Sequence, residues 1–318
     1  LSVSGSSTGT EGSTATLSSR FQVTNCAALA FKPNFTVTTS AKTSRTAGAG
    51  LKVKLTYPNG SLGTQANLHS VKVSLPRQLP SRLTTLQRAC PDRVFDANPA
   101  ACATESRVGI AKATTPILPV PLEGPAYFVS HGGAKFPELI MVLQGYGFTI
   151  YLHGETYIDE KTSVTTSTFP AVPDQPISSF ELELPQGPYS ALAAPGGNLC
   201  VAGNLAMPTS FTAQNAATLH QSTPIEVQGC PYKLTVKSHT VQHHTLTLQI
   251  TTPAAGQLTA HARGLRPTTK NATRRTTLTL QLHKSKPGTV HTRVLLTFTP
   301  NSGKQRRILH TTITVRIP

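Results

Sequence analysis

Thr245-Leu246-Thr247-Leu248-Gln249-Ile250 and, further on, Thr277-Leu278-Thr279-Leu280-Gln281-Leu282 put an aliphatic residue at every second position with Thr or Gln between. A period of two places successive side chains on opposite faces, so each stretch reads as a strand with one buried face and one wet one. Working outward, Tyr232–Lys237, Gly256–Ala260, Val294–Thr299 and Thr312–Ile317 repeat the pattern, with Gly, Pro, Asn and Ser between them. Six or seven short strands within 231–318 cannot bury their apolar faces singly, and two packed sheets are the economical solution.

That spacing predicts an immunoglobulin-like domain. It coincides with a change in charge. The 318-residue chain carries Lys+Arg 29 against Asp+Glu 13, a formal +16, yet 231–318 holds 14 of the cations and none of the acids. The boundary is set at Cys230-Pro231, where proline restarts an extended chain. Upstream, Phe35–Thr39, Leu51–Tyr57, Val71–Pro76, Gly109–Ala113, Ala126–Val129 and Phe180–Leu184 also alternate. Leu139–Leu143 and Phe148–Leu152 flank Gln144-Gly145-Tyr146-Gly147 as a hairpin, whose glycines permit positive φ. One short helix is expected after Pro80, with Ser81 as N-cap and Leu83 and Leu86 on one face. The expected architecture is all-β: tandem β-sandwich domains, the last Ig-like, with at most one or two short helices. Residues 1–22 form a Ser/Thr/Gly-rich segment, 23–230 the central sandwich region and 231–318 the basic module.

A charged fraction of 13%, set against the ~25% of ordinary proteins, implies a surface dressed in Ser, Thr, Asn and Gln. Hydrophobic content of 38% is enough for real cores at this length, which excludes a disordered chain, a collagen and a coiled coil. No apolar run reaches the ~18 residues of a membrane-spanning helix, so no membrane span is expected. The chain opens on Leu1, and is read as a processed or excised piece.

None of the five cysteines sits in a C-x-x-C pair or at zinc-ligand spacing. Cys90 with Cys102 and Cys200 with Cys230 are read as local disulfides, which implies an oxidising compartment, with inert buried thiols as the plainer reading. Cys26 is left over, unpaired or intermolecular. Its surroundings repeat those of Cys230: Ala15-Thr16-Leu17 then Phe21–Cys26 match Ala217-Thr218-Leu219 then Ile225–Cys230, with a two-residue gap between the copies. The expectation is that residues 1–26 correspond to closing strands. The segment Ser13–Cys26, carrying Leu17, Phe21 and Val23, would then dock as an added strand on a sheet edge, of the next molecule or of its own C-terminal portion.

Candidates for chemistry are sparse. Gly5-Ser6-Ser7-Thr8-Gly9 satisfies G-x-S-x-G, but a nucleophile elbow needs a strand before it and a helix after it. His131-Gly132-Gly133 resembles an esterase oxyanion loop, and its glycines serve the backbone equally well. His239, His243 and His244, read on one strand, lie too far apart and on opposite faces to share a metal. Glu181 and Glu183 share a face at glycosidase-like spacing, and solubility accounts for them without chemistry. Trp is absent, which weakens a carbohydrate-stacking site. No catalytic residue, metal ligand or cofactor is therefore expected. The sequons at Asn34, Asn59 and Asn271 carry little weight in so Thr-rich a chain.

The cations Lys270, Arg274, Arg275, Lys284, Lys286, Arg293, Lys304, Arg306 and Arg307 gather in or near turns. Anionic wall polymer, a partner subunit and a merely solubilising surface all account for them, whereas sequence-specific nucleic acid does not, for want of a recognition helix.

Leu79–Leu86, Gly124–Gly133, Leu184–Ala191 and Gly197–Cys200, together with Pro253–Ala260 and Phe298–Pro300, resemble a family of large secreted actinobacterial proteins that end in an Ig-like module. The resemblance covers most of 21–318, implies a cell-surface setting and supplies no catalytic residues. The expected function is that of a non-enzymatic extracellular structural protein, a repeating subunit that assembles head to tail by strand addition. A monomeric adhesin or polysaccharide-binding module is the alternative, and a secreted hydrolase the third class.

Overall fold

The computed structural model describes residues 2–20, 24–58, 64–133, 135–197, 199–201, 205–273, 275–285, 289–301 and 308–317. Its regular structure is nearly all β, with two short α-helices and four 3-10 turns among the described residues. No helix among the described residues is long and apolar enough to cross a membrane.

Strands β1 (Ser2–Thr8) and β2 (Thr14–Arg20) form a ribbon of their own. The central region supplies β3 (Asn34–Ser40), β4 (Leu51–Thr56), β5 (Leu68–Ser74), β6 (Cys90–Pro91), β7 (Arg107–Thr114), β8 (Leu122–Ser130), β9 (Glu138–Gly145), β10 (Phe148–Ile158), β11 (Thr165–Phe169), β12 (Ser179–Leu184), β13 (Ala206–Ala213) and β14 (Thr218–Gln228). All twelve belong to one sheet, in the order β6-β8-β7-β12-β4-β3-β14-β13-β5-β11-β10-β9, and β9 returns to pair with β8, Tyr127 opposite Ile140. The sandwich expected here is thus a sheet that closes on itself, which removes two free edges. Gly124 stands at the closing seam, where a Cβ would collide with the Val142 carbonyl.

Alternation decides what the closed sheet buries. Leu51 and Leu55 on β4, Leu182 and Leu184 on β12, and Leu139, Met141 and Leu143 on β9 point inward with Met207 and Phe211 of β13. Phe35 meets Phe211 edge-on at 5.4 Å. On the outer surface of β8 and β9 a satellite core forms instead, because Tyr127, Val129, Ile140 and Val142 are covered by helix α2 (Asp92–Ala97) through Phe95. This double burial is why the first arm of the hairpin is a near-continuous apolar run.

Helix α2 and one short 3-10 turn, Pro99–Ala101, replace the loop expected between Cys90 and Cys102. Asp92 stands in the helix's first turn, and Asn98 Oδ1 accepts from Ala100 N at 3.0 Å to start the next turn. The Cys90–Cys102 disulfide closes the excursion, Cα to Cα 5.5 Å. Helix α1 (Leu83–Leu86) lies where one was expected, with two corrections. Arg82 occupies the N-cap, because Ser81 is bridged to Leu192, and Leu83 is exposed while Leu86 is buried. In the hairpin, positive φ falls on Tyr146 and Gly147, and Gly145 is still in β9.

From 231 onward seven strands pack as a sandwich: β15 (Thr235–Gln242), β16 (Thr245–Thr252), β17 (Gly256–His261), β18 (Thr268–Ala272), β19 (Thr276–His283), β20 (Val290–Pro300) and β21 (Leu309–Ile317). The first, second and fifth make one sheet, and the fourth, third, sixth and seventh the other, an immunoglobulin-like division. Leu246, Leu248, Ile250, Leu280 and Leu282 face Leu258, Val294, Leu296, Phe298, Val315 and Ile317 across a core of their own. These residues lie at the alternate positions of the expected strands, whereas Ala254, Ala262 and Leu265 join the same core from outside them. The first strand starts three residues later than expected, since Tyr232 and Leu234 pack against the core from outside the ladder.

Candidate functional site

The ribbon's seven positions on β1 and seven on β2 are all exposed, including Val3 at 62% and Leu17 at 66%. Its register runs from Ser2 opposite Arg20 to Thr8 opposite Thr14, and neither strand pairs with any other among the described residues. Docking on an edge of the chain's own C-terminal portion is therefore not found among the described residues: Ser2–Thr8 pairs with one edge of the expected segment, and its other edge pairs with no strand. Leu17 lies on β2, whereas Phe21 and Val23 lie outside the described residues. Ser7 sits in β1 just before the turn at Gly9 and Gly12, so the elbow geometry is absent. The sequence repeat has a structural counterpart. Ala15-Thr16-Leu17 starts the second arm of β1–β2 as Ala217-Thr218-Leu219 starts that of β13–β14, but β13 and β14 are flanked by β5 and β3.

Cys200–Cys230 is bonded, Cα to Cα 5.6 Å, and Cys26 is free and exposed in a 3-10 turn. The bridge lines a cleft of about 1020 Å³ between the central sheet and the last sandwich. Thr36 and Thr38 of β3 and Glu226 of β14 form one wall, and Tyr232, Thr251 and Arg275 the other. Arg275 Nη2 donates to the Cys200 carbonyl at 2.9 Å, and burial lowers the guanidinium's pKa. Arg275 is thus an interdomain clamp rather than a member of a surface patch.

The remaining expected cations scatter. Lys270 is exposed on edge strand β18, Arg293 faces outward on β20, and Lys284 is half-buried beyond β19, its backbone N donating to the His244 carbonyl at 2.9 Å. Arg274, Lys286, Lys304, Arg306 and Arg307 lie outside the described residues. The register brings out a set the sequence reading missed. His261, His291, Arg293, His310 and Arg316 are all exposed on the outer face of one sheet, His291 directly opposite Arg316. Their odd-and-even placement against the buried aliphatics was the signal that could have found them.

His239 is on β15, while His243 and His244 form the turn after it, so they do not share a strand as expected. No cluster able to hold a metal occurs among the described residues. Glu181 and Glu183 lie on an interior strand of the sheet, where Glu181 meets Lys54 at 2.7 Å and Lys52 at 3.3 Å and Glu183 meets Lys52 at 3.7 Å. They face outward as expected, and the cross-strand lysines neutralise them. His131 follows β8, with Gly132 and Gly133 both at positive φ, and reaches Asp92 at 3.4 Å and Glu138 at 3.5 Å; His153 meets Glu138 at 3.3 Å. These groups rim α2 on an open surface.

Fold and surface together define an all-β, disulfide-bonded protein with an Ig-like end module. No protein-family model and no curated protein matches the chain. Among solved structures it is similar to trypsin-activated alpha-2-macroglobulin from Escherichia coli, at 12% identity over 99% of this chain and 19% of that one, TM-score 0.21. It is also similar to red sea bream transglutaminase, at 11% identity over 89% of this chain and 31% of that one, TM-score 0.18. The chain spans about a fifth and a third of those two proteins.

Proposed function

We propose that the chain is a non-enzymatic extracellular structural protein whose copies assemble head to tail, the β1–β2 ribbon of one docking on a sheet edge of the next. The observation that supports this reading is the fully exposed ribbon, both of whose outer edges are unpaired among the described residues. A lone two-stranded hairpin is marginal in water, and an open edge is a template for pairing with another chain. Strand addition between identical chains is a heterologous contact, and one that does not close on itself propagates as a filament. Two disulfides favour an oxidising, extracellular setting, in keeping with the resemblance to secreted surface proteins.

A monomeric adhesin or polymer-binding module is the second reading, favoured by a C-terminal module with 14 cations and no acid. Size-exclusion chromatography and negative-stain imaging of the full chain at rising concentration separate the two. Growing oligomers or filaments are expected, and a monomer at every concentration would leave the second reading.

A further inference from the structure

The two arginines carried on described strands of the last sandwich, Arg293 and Arg316, lie on neighbouring strands of one sheet. On the sheet of β15, β16 and β19, the outward positions of the inner strand and of β19 are Thr245, Thr247, Gln249 and Thr251 beside Thr277, Thr279, Gln281 and His283, and β15 carries a single exposed cation, Lys237. On the sheet of β17, β18, β20 and β21, the outward face carries His261, His291, Arg293, His310 and Arg316 around an exposed Leu295.

Register concentrates the charge further. His291 opposes Arg316 and Arg293 opposes Thr314, so the two arginines are diagonal neighbours whose backbone positions lie about 7–8 Å apart. His261 opposes Leu295, placing its imidazole on the adjoining strand at the same end. The turn that follows carries Arg263, exposed, and Gly264, whose missing Cβ would rest 3.2 Å from Val290, so this turn lies against the start of β20. Ala255, at the other end of β17, lines the interdomain cleft. Five residues of strand, roughly 17 Å at ~3.3 Å each, separate Gly256 from His261. The cationic end is therefore the end remote from the central sheet.

We propose that this distal face, built on Arg293 and Arg316 with Arg263, His261 and His291 around them, binds a linear phosphate polymer. A guanidinium presents a planar fork that matches phosphate oxygens, and adjacent threonine hydroxyls such as Thr312 and Thr314 supply further donors. Among the described residues the face carries no Phe, Tyr or Trp as a broad platform for a sugar or a base, so charge is its main recognition feature. With no Asp or Glu in 231–318, no acidic side chain of the module competes for these cations. The proposal does not depend on assembly through the ribbon.

The test uses the full chain, polyphosphate of some tens of units as the probe, and polygalacturonate of similar length beside it. Retention of polyphosphate is expected to fall steeply with added NaCl, because released counterions drive such binding. Arg293→Gln with Arg316→Gln is expected to weaken binding at least tenfold and to lower the salt slope by about two, while Lys237→Gln, away from this face, changes neither. Both arginines point outward, so circular dichroism of the double variant should match the parent. Equal binding by the double variant would overturn the assignment of the face, and equal retention of polygalacturonate would overturn the choice of phosphate. Binding by Arg293→Lys with Arg316→Lys that stays below the parent identifies the guanidinium fork, whereas full recovery reduces the site to point charge and contradicts it.

Discussion

Tyr57 ends the segment after β4 with its ring among Phe31, Phe35 and Phe180, and its hydroxyl is buried with no hydrogen-bond partner among the described residues. Burial alone pushes its pKa well above the ordinary 10.0. An orphaned hydroxyl carries a desolvation cost, so Tyr57→Phe is expected to stabilise the protein by about 1 kcal/mol, read from the urea midpoint. A destabilised variant would reveal a partner for the hydroxyl. Glu181 shows the opposite arrangement. The hydrogen bond from Lys54 holds its carboxyl below the ordinary 4.5, burial works against this, and Lys52 adds to it. A lowered folded value means stability that is present above the ordinary carboxylate range and lost as pH falls through the folded value. Lys52 is raised, chiefly by its hydrogen bond with Glu181, and its share is lost only as pH climbs above its ordinary 10.5. Glu181→Gln should therefore flatten the acid limb of a stability–pH profile, and an unchanged limb would show that the pair is too solvent-screened to matter.

Among the elements, α2 depends most on covalent help, since six residues are too few to be helical alone and only Phe95 is buried. The disulfide spans a sequence separation of 12, and loop entropy alone makes it worth about 3 kcal/mol. Cys90→Ser with Cys102→Ser is expected to lower stability by about that amount and to expose the Asp92–Ala97 amides to hydrogen exchange. An unchanged urea midpoint would show that packing of Phe95 on Tyr127, 5.7 Å between ring centroids, suffices. The hairpin turn offers a gain: Tyr146 at φ 50° precedes Gly147 at φ 79°, a pair of positive angles that suits Asn-Gly. Tyr146→Asn should raise stability by a few tenths to ~1 kcal/mol, and a loss would mean the exposed ring has work outside this turn. Strands such as Leu246–Ile250 were legible because alternation is a local property of the sequence. Helix α2 was not, because what stabilises it is a tertiary lid contact and a crosslink. Nor was the closure of β9 onto β8, which is a pairing between strands already recognised. The His/Arg face was hidden for the same reason, since it is assembled from three strands by register.

At the scale of the molecule, two cores meet at a cleft lined by Cys200–Cys230 and crossed by Arg275. The ribbon stands outside both cores, and the account of assembly turns on it. Deleting residues 1–20 removes fourteen strand residues that are exposed throughout, so the remaining units should keep their circular dichroism and melting temperature. The direct measurement is sedimentation velocity of the full chain and the truncated chain side by side across concentration. The account predicts a distribution that grows for the full chain and a single monomeric species for the truncated one; a full chain that stays monomeric, or a truncated chain that assembles equally well, would contradict it.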